Sequence, residues 1–323
     1  MLKKMITKKI LVSSLCLFAL FLIYMIPKDT VYTLKEVKQE VNYVTQNENL
    51  KTVFLMDQDG MLGKTEYVSS VLDENDINRQ VTDAISVLIK DGVNESKVPN
   101  GFQAIIPSDT KIISSSFENG VYKINFSSEL LDVKADMEEK IIEAIVFTAT
   151  SNKNVKQVII YIDGDTLTYL PKSKTYIPAT LDRNFGINKT FEITNTDNIQ
   201  SVIVYFLKEY NQEQYYVPVT KYVNDDREKV KIIIDELSSS QVYHSNLMSY
   251  LDSNTKLEAA NIEDDTLTLQ FDQNILTHLE EEPILEEVIY TIALSIQDNY
   301  DVSQVSFEVG NEEICKTVLK TLD

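Results

Sequence analysis

Two stretches of this chain are versions of one another. Pro107 to Phe126 reads PSDTKIISSSFENGVYKINF and Asp252 to Phe271 reads DSNTKLEAANIEDDTLTLQF, and the two superpose without a gap. Ser108, Thr110, Lys111, Glu118 and Phe126 meet identical residues at Ser253, Thr255, Lys256, Glu263 and Phe271. Apolar residues meet apolar residues at Ile112 and Leu257, Phe117 and Ile262, Tyr122 and Leu267, and Ile124 and Leu269. Each stretch sits between the same two helical patterns. An internal duplication confines the chain to two like units in tandem.

The length of 323 residues allows two ordinary domains, each able to bury its own core. With 43% hydrophobic and 25% charged residues the composition is globular. The net charge is -20, and Lys3, Lys4, Lys8 and Lys9 all precede the first long apolar run. With those four lysines set aside the remainder carries -24, which argues against nucleic acid or anionic lipid as its main partner.

That apolar run, Ile10 to Ile26, is seventeen residues without a charge. No small-x-small cleavage site follows it, and Leu15 stands before Cys16 where a lipoprotein acceptor needs a small residue. The expectation is an uncleaved single-pass anchor in the cell membrane, with the lysines holding residues 1–9 in the cytoplasm and the bulk of the chain outside. Residues 27–49 read as a stalk, partly helical around Leu34 to Val44. Cys16 and Cys315 are the only cysteines and are too differently placed for an intrachain disulfide. Cys315 falls in GNEEICKTVLKTLD, read as a terminal helix in which it packs as a small apolar side chain.

The first unit, 50–170, opens with the β-rich TVFLMD, turns at Asp57-Gln58-Asp59-Gly60 and returns as a second strand near Thr65 to Val71. Val81, Ala84, Ile85 and Leu88 mark a helix, and Asn119-Gly120 joins a hairpin. Met137, Ile141, Ile145 and Thr148 mark a second helix before the strand Val158 to Ile162. The second unit, 200–323, repeats the order, with Asp264-Asp265 at the hairpin turn and Leu285, Val288, Ile289, Ile292 and Ile296 on its second helix. Strand, strand, helix, hairpin, helix, strand, twice over, predicts an α+β fold. Between the units, 171–199 reads as a linker in which Tyr176, Ile177, Leu181 and Phe185 suggest packing on one domain.

Catalytic chemistry is hard to find. His244 and His278 have no second ligand at helical spacing, so they predict no metal site. Ser114 to Ser116 lie in a strand and Ser238 to Ser240 at a helix end, with no nucleophile motif around them. Asp57-Gln58-Asp59-Gly60 begins like a calcium loop, but its glycine comes two positions early, which leaves a turn. Glu280-Glu281-Glu282 reads as a solvated cap before a helix, and the eight glycines form no phosphate loop. No cofactor is implied. Tyr205, Tyr210, Tyr215, Tyr216 and Tyr222 crowd the first two strands of the second unit, either as cross-strand packing or as a platform for glycan sugars.

TVFLMDQDG, AIIPSDTKIISSSFENGVYKINFSSELL and IIEAIVFTATSNKNVKQVIIYIDGD together resemble a GerM domain, the module named for a sporulation and spore germination protein. VIVYFLKEY, YLDSNTKLEAANIEDDTLTLQFDQNIL and VIYTIALSIQDNYDVSQVSFEVGN resemble a second one, and PATLDRNFGINK (Pro178 to Lys189) is similar to the connection in double-GerM proteins. The resemblance runs from Leu50 to about Asn311. It implies an envelope protein with no known catalytic centre and a fold similar to the small ring-building domains of sporulation and secretion machineries. Many relatives are lipoproteins, whereas here an anchor helix stands in that place. The leading expectation is a non-enzymatic, membrane-anchored scaffold that engages envelope proteins or copies of itself. The alternative is a peptidoglycan-binding module using Tyr205, Tyr215, Tyr216 and Tyr222.

Overall fold

A computed structural model describes residues 39–40, 49–239, 246–277 and 282–318. The expected anchor at 10–26 and both histidines, His244 and His278, lie outside these residues. Among the described residues no helix is long and apolar enough to cross a membrane.

The first repeat comprises β1 (Leu50–Asp57), β2 (Leu62–Val68), α1 (Ile77–Ser86), β3 (Ile112–Glu118), β4 (Val121–Phe126), α2 (Ala135–Ala149) and β5 (Gln157–Ile162). The second comprises β6 (Ile199–Tyr210), β7 (Glu213–Asn224), α3 (Lys229–Ser238), β8 (Leu257–Glu263), β9 (Thr266–Phe271), α4 (Glu286–Asn299) and β10 (Gln304–Val309), followed by β11 (Glu312–Val318). The order of strands and helices in each repeat is the one expected, and the fold is α+β.

The duplication extends to fine geometry. In both hairpins the register slips once, between Ile112 and Ser114 in β3 and between Leu257 and Ala259 in β8. Both hairpins close through two left-handed residues, Asn119 and Gly120 at φ 51° and 79° and Asp264 and Asp265 at 44° and 69°. Both continue into a parallel strand, β4 beside β5 and β9 beside β10, reached through the repeat's second helix. That helix is fastened to the first strand in the same way each time. The Phe54 N–H donates to Thr148 Oγ1 at 3.0 Å, and the Tyr205 N–H donates to Ser295 Oγ at 2.9 Å. Both acceptors are buried, and each satisfies a strand amide that has no ladder partner.

The repeats do not fold as separate globules with separate cores. Their first hairpins meet edge to edge, β2 against β7, with Tyr216 opposite Lys64. The second point of the junction is made by the connecting segment. Asn188 accepts from the Leu62 N–H at 2.9 Å and donates to the Leu62 and Pro218 carbonyls at 2.8 Å each. The short strand Thr190–Glu192 then runs parallel to β7 at Lys221 to Val223. One sheet therefore carries strands of both copies, and the buried apolar residues form a single continuous core. The connecting segment thus packs on both copies, not on one.

Two further expectations change. The stretch around Cys315 is a strand, not a helix: Gly310 at φ 64° turns the chain back, and Ile314, Thr317 and Val318 suit the antiparallel ladder of β11 on β10. Cys315 is buried there, and burial pushes its thiol up to about 12. Within the stalk, Gln39–Glu40 is extended and pairs in parallel with Cys315 and Lys316 of β11.

Candidate functional site

The tyrosines of β6 and β7 separate into interior and surface groups. Tyr205 is 2% exposed, so its ring is closed to any external ligand. Its hydroxyl donates to Asp298 at 2.7 Å. Burial and the facing carboxylate push that phenol well above its ordinary value. Tyr210 lies over Gly101, whose φ of 87° and missing Cβ leave room for the ring. Tyr215 packs edge-on to Phe102 over Gly63, and its hydroxyl donates to Asp57 at 2.9 Å. Tyr216 stacks on Tyr290 of α4 with centroids 5.3 Å apart. Tyr210 and Tyr215 brace the junction, while Tyr205 and Tyr216 fasten β6 and β7 to α4.

Tyr222 is different. It stacks on Phe191 of the short strand Thr190–Glu192, at 4.9 Å and 13° between planes, and Phe191 is 68% exposed. Ile199 of β6, 46% exposed, lies on the same sheet face, because Ile199 and Ser201 alternate with inward residues and Ser201 pairs with Tyr222. The result is a surface patch made of the exposed Phe191 ring, the half-buried Tyr222 ring parallel to it, and an isoleucine. Phe191 went unnoticed in the sequence because it sits in the presumed linker.

Behind this patch is a cleft of about 330 Å³ with Glu192, Asp225, Asp235 and Glu236 on its walls. These acids are already paired. Lys221 holds Glu192 at 2.9 Å and also Glu236, while Arg227 holds Asp225 and Asp235 at 2.7 Å each. Hydrogen bonding to Arg227 keeps the Asp225 carboxyl below its ordinary value. The arrangement ties the connecting segment and β7 to α3.

The junction holds two more clusters that pattern reasoning missed. Asp57 accepts from the backbone N–H groups of Asp59 and Met61, from Tyr215 and, at 2.7 Å, from Lys208. Its carboxylate is thus built into a turn and an ion pair. Lys208 occupies in β6 the place of Asp57 in β1, so equivalent positions of the two copies meet in one salt bridge. Burial works against the charge, but the hydrogen bonds that Lys208 donates to both aspartates outweigh it and raise the ammonium above its ordinary value. Arg183, from the connecting segment, grips both Asp298 oxygens at 2.6 Å and donates to Thr150 at 3.2 Å, with the Phe147 ring 4.8 Å away. It spans the corresponding ends of α2 and α4. The one available signal was the density of polar and turn residues in DRNFGINK, unusual for a passive linker.

Among the described residues no three His, Cys, Asp or Glu side chains converge where a metal ion could be held. Ser114 to Ser116 lie in β3; Ser115 shares a hydroxyl chain with Thr82 and Tyr122, with no base beside it. The described surface offers two aromatic pairs, the Phe191–Tyr222 stack and the tilted pair Tyr169–Tyr176, with Tyr176 the more exposed of the latter.

The duplicated unit, with its bulged hairpin and paired second helix, defines a known class. The family model described as "Germane: Sporulation and spore germination" matches residues 52–168 and 203–315, and the chain belongs to this family. It is 28% identical over 268 residues to the spore germination protein GerM of Bacillus subtilis strain 168, covering 81% of this chain and 72% of that one. It also superposes on the solved tandem GerMN domains of the Bacillus subtilis sporulation protein GerM with a TM-score of 0.73 at 27% identity, over 83% of this chain and 93% of that structure.

Proposed function

We propose that this protein is a non-enzymatic assembly module of the cell envelope that acts in sporulation or spore germination. The apolar run at 10–26 anchors it in the membrane, and the double unit stands outside, engaging envelope proteins or further copies of the chain. The observation that carries this reading is the exposed Phe191 ring, stacked on half-buried Tyr222 beside exposed Ile199. Everywhere else β6 and β7 spend their aromatic rings internally, and an exposed apolar patch on a folded surface commonly marks a contact. Family membership supports the sporulation setting.

The test is a photo-crosslinking residue at position 191 of the full chain in native membranes of the sporulating cell. Discrete protein adducts that disappear with Tyr222→Ala are expected. A chain that yields no adduct and sediments as a monomer in detergent would remove the proposal. A second reading, peptidoglycan binding, is favoured by the same stack, since an exposed ring held flat by a second one suits the face of a sugar. Pelleting with purified sacculi, abolished by Phe191→Ala, would select it.

A further inference from the structure

A cleft of about 250 Å³ opens in the first repeat between the start of β1, α1 and the end of α2. Its lining includes Thr52, Gln80, Asn152 and Lys153. The second repeat shows what the corresponding space holds there. Along the fastened pairs Phe54 with Thr148 and Tyr205 with Ser295, the partner of Thr52 is Ile203 and the partner of Asn152 is Asn299. In the second repeat the Asn299 carboxamide accepts from the Ile203 N–H at 3.2 Å and donates to the Ile203 carbonyl at 2.7 Å. One primary amide thereby satisfies both outward-facing backbone groups of one strand residue.

The first repeat lacks that closure. Here α2 ends at Ala149, whereas α4 runs on to Asn299. Thr150 and Ser151 turn their hydroxyls back onto the Val146 and Phe147 carbonyls at 2.7 and 2.9 Å, which favours an early helix end. Asn152 then falls in a turn. It donates to Gln80 at 3.2 Å and accepts from the Asn154 N–H at 3.0 Å, so it no longer reaches β1. Thr52 shares the alternation of Phe54, whose N–H points away from β2, so its own N–H and carbonyl face the cleft. The Thr52 side chain adds a second, independent sign. Thr52 is 7% exposed, lines the cleft, and its buried Oγ1 has no hydrogen-bond partner. A buried hydroxyl of this kind is costly to leave unsatisfied.

We propose that this cleft accepts the side-chain carboxamide of an asparagine or glutamine from a partner protein. The incoming amide would take the place that Asn299 fills in the other repeat, bonding the Thr52 N–H and carbonyl, with the Thr52 hydroxyl as a third contact. A protein side chain is the favoured source because the occupant of the matching space is one. The proposal rests on the assembly reading above and gives it a recognition chemistry.

The test uses the full chain, ¹⁵N-labelled in detergent, and follows the Thr52 backbone amide. Three probes are titrated: N-acetyl-asparagine methylamide, its aspartate counterpart, and N-acetylglucosamine. The asparagine probe should shift the Thr52 resonance saturably, and the aspartate probe, which lacks the donor, should bind about tenfold more weakly. Thr52→Val removes only an unpartnered hydroxyl, so it should keep the fold and weaken the asparagine probe several-fold. Equal shifts from asparagine and aspartate probes, or no shift at Thr52, would overturn the site. A stronger response to N-acetylglucosamine would overturn the protein source and assign the cleft to an acetamido sugar. Crosslinking at position 191 reads the assembly proposal separately, so a silent Thr52 with intact adducts discards the cleft alone.

Discussion

In the first repeat the second helix holds the connecting segment with carboxylates, whereas the second repeat carries apolar groups at the matching places. Glu138 of α2 accepts from the Lys172 and Ser173 N–H groups at 2.9 and 2.6 Å, and Glu143 accepts from the Asn188 N–H at 3.0 Å. Their counterparts are Leu285 and Tyr290, and Tyr290 stacks on Tyr216. The scaffold of strands and helices is common to both copies, and the chemistry of the inward face is not. What differs is the neighbour each copy must hold: α2 receives a polar backbone segment with unpaired amides, while α4 receives a tyrosine ring. Duplicated backbones therefore keep their hydrogen-bond pegs, Thr148 and Ser295, while their side-chain contacts follow local need.

The largest expected effect comes from breaking the bridge between the copies. Arg183→Ala leaves Asp298 nearly buried without its cation, which should cost about 3–5 kcal/mol. Unfolding in urea should remain one transition, shifted in midpoint; two separated transitions would mean that the repeats unfold independently. Glu143 distinguishes the copies by pH. Burial raises its carboxyl to about 7, although Lys189 and the Asn188 N–H pull the other way. The folded chain binds this proton more tightly than the unfolded one. Its stabilising effect is therefore full below the ordinary carboxylate value and lost as pH rises through about 7. Between pH 5 and 8 the wild type should lose about 2–3 kcal/mol more than Glu143→Gln, read as denaturation midpoints across pH.

Thr148→Val and Ser295→Ala each strip the acceptor from a buried strand amide, and each should cost about 1–3 kcal/mol. Similar values would confirm equivalent pegs, and a large difference would show that one copy bears the load. The smallest effect is at the hairpin turns. Asp265→Gly relieves a left-handed aspartate where the first copy has Gly120, and should raise stability by about 0.5–1 kcal/mol, while Gly120→Asp should lower it. Melting temperatures of the two variants moving in the same direction would break the equivalence.

Much of the architecture could be read from residue pattern, because Asn119-Gly120, the helical runs at Val81 and Leu285, and the alternation of β4 and β9 are all local signals. The same locality explains the failures. Ile314, Thr317 and Val318 belong to a strand only because β10 offers them an edge, which the stretch around Cys315 does not announce. Tyr205 and Tyr222 are alike in sequence context, yet one is buried against α4 and the other is half-buried against the exposed Phe191. Arg183 and Asn188 act only once two distant helices and two hairpins have met around them. Contacts between copies depend on register across the junction, and no window along the chain contains it.

The Asn188 bridge breaks the symmetry that two like units would otherwise share. A lone unit of this design would leave the outer side of β2 unpaired, and two identical units could cover it by meeting as an isologous dimer. In such a dimer both crossing points would be the same, Leu62 of one unit against the residue matching Pro218 in the other. Here only one crossing is direct and the other is filled by a residue belonging to neither unit. With both halves in one chain, a pairing that could be symmetric between identical units is asymmetric and of fixed stoichiometry. Each half can then carry its own side-chain contacts, and the tether is itself part of the interface.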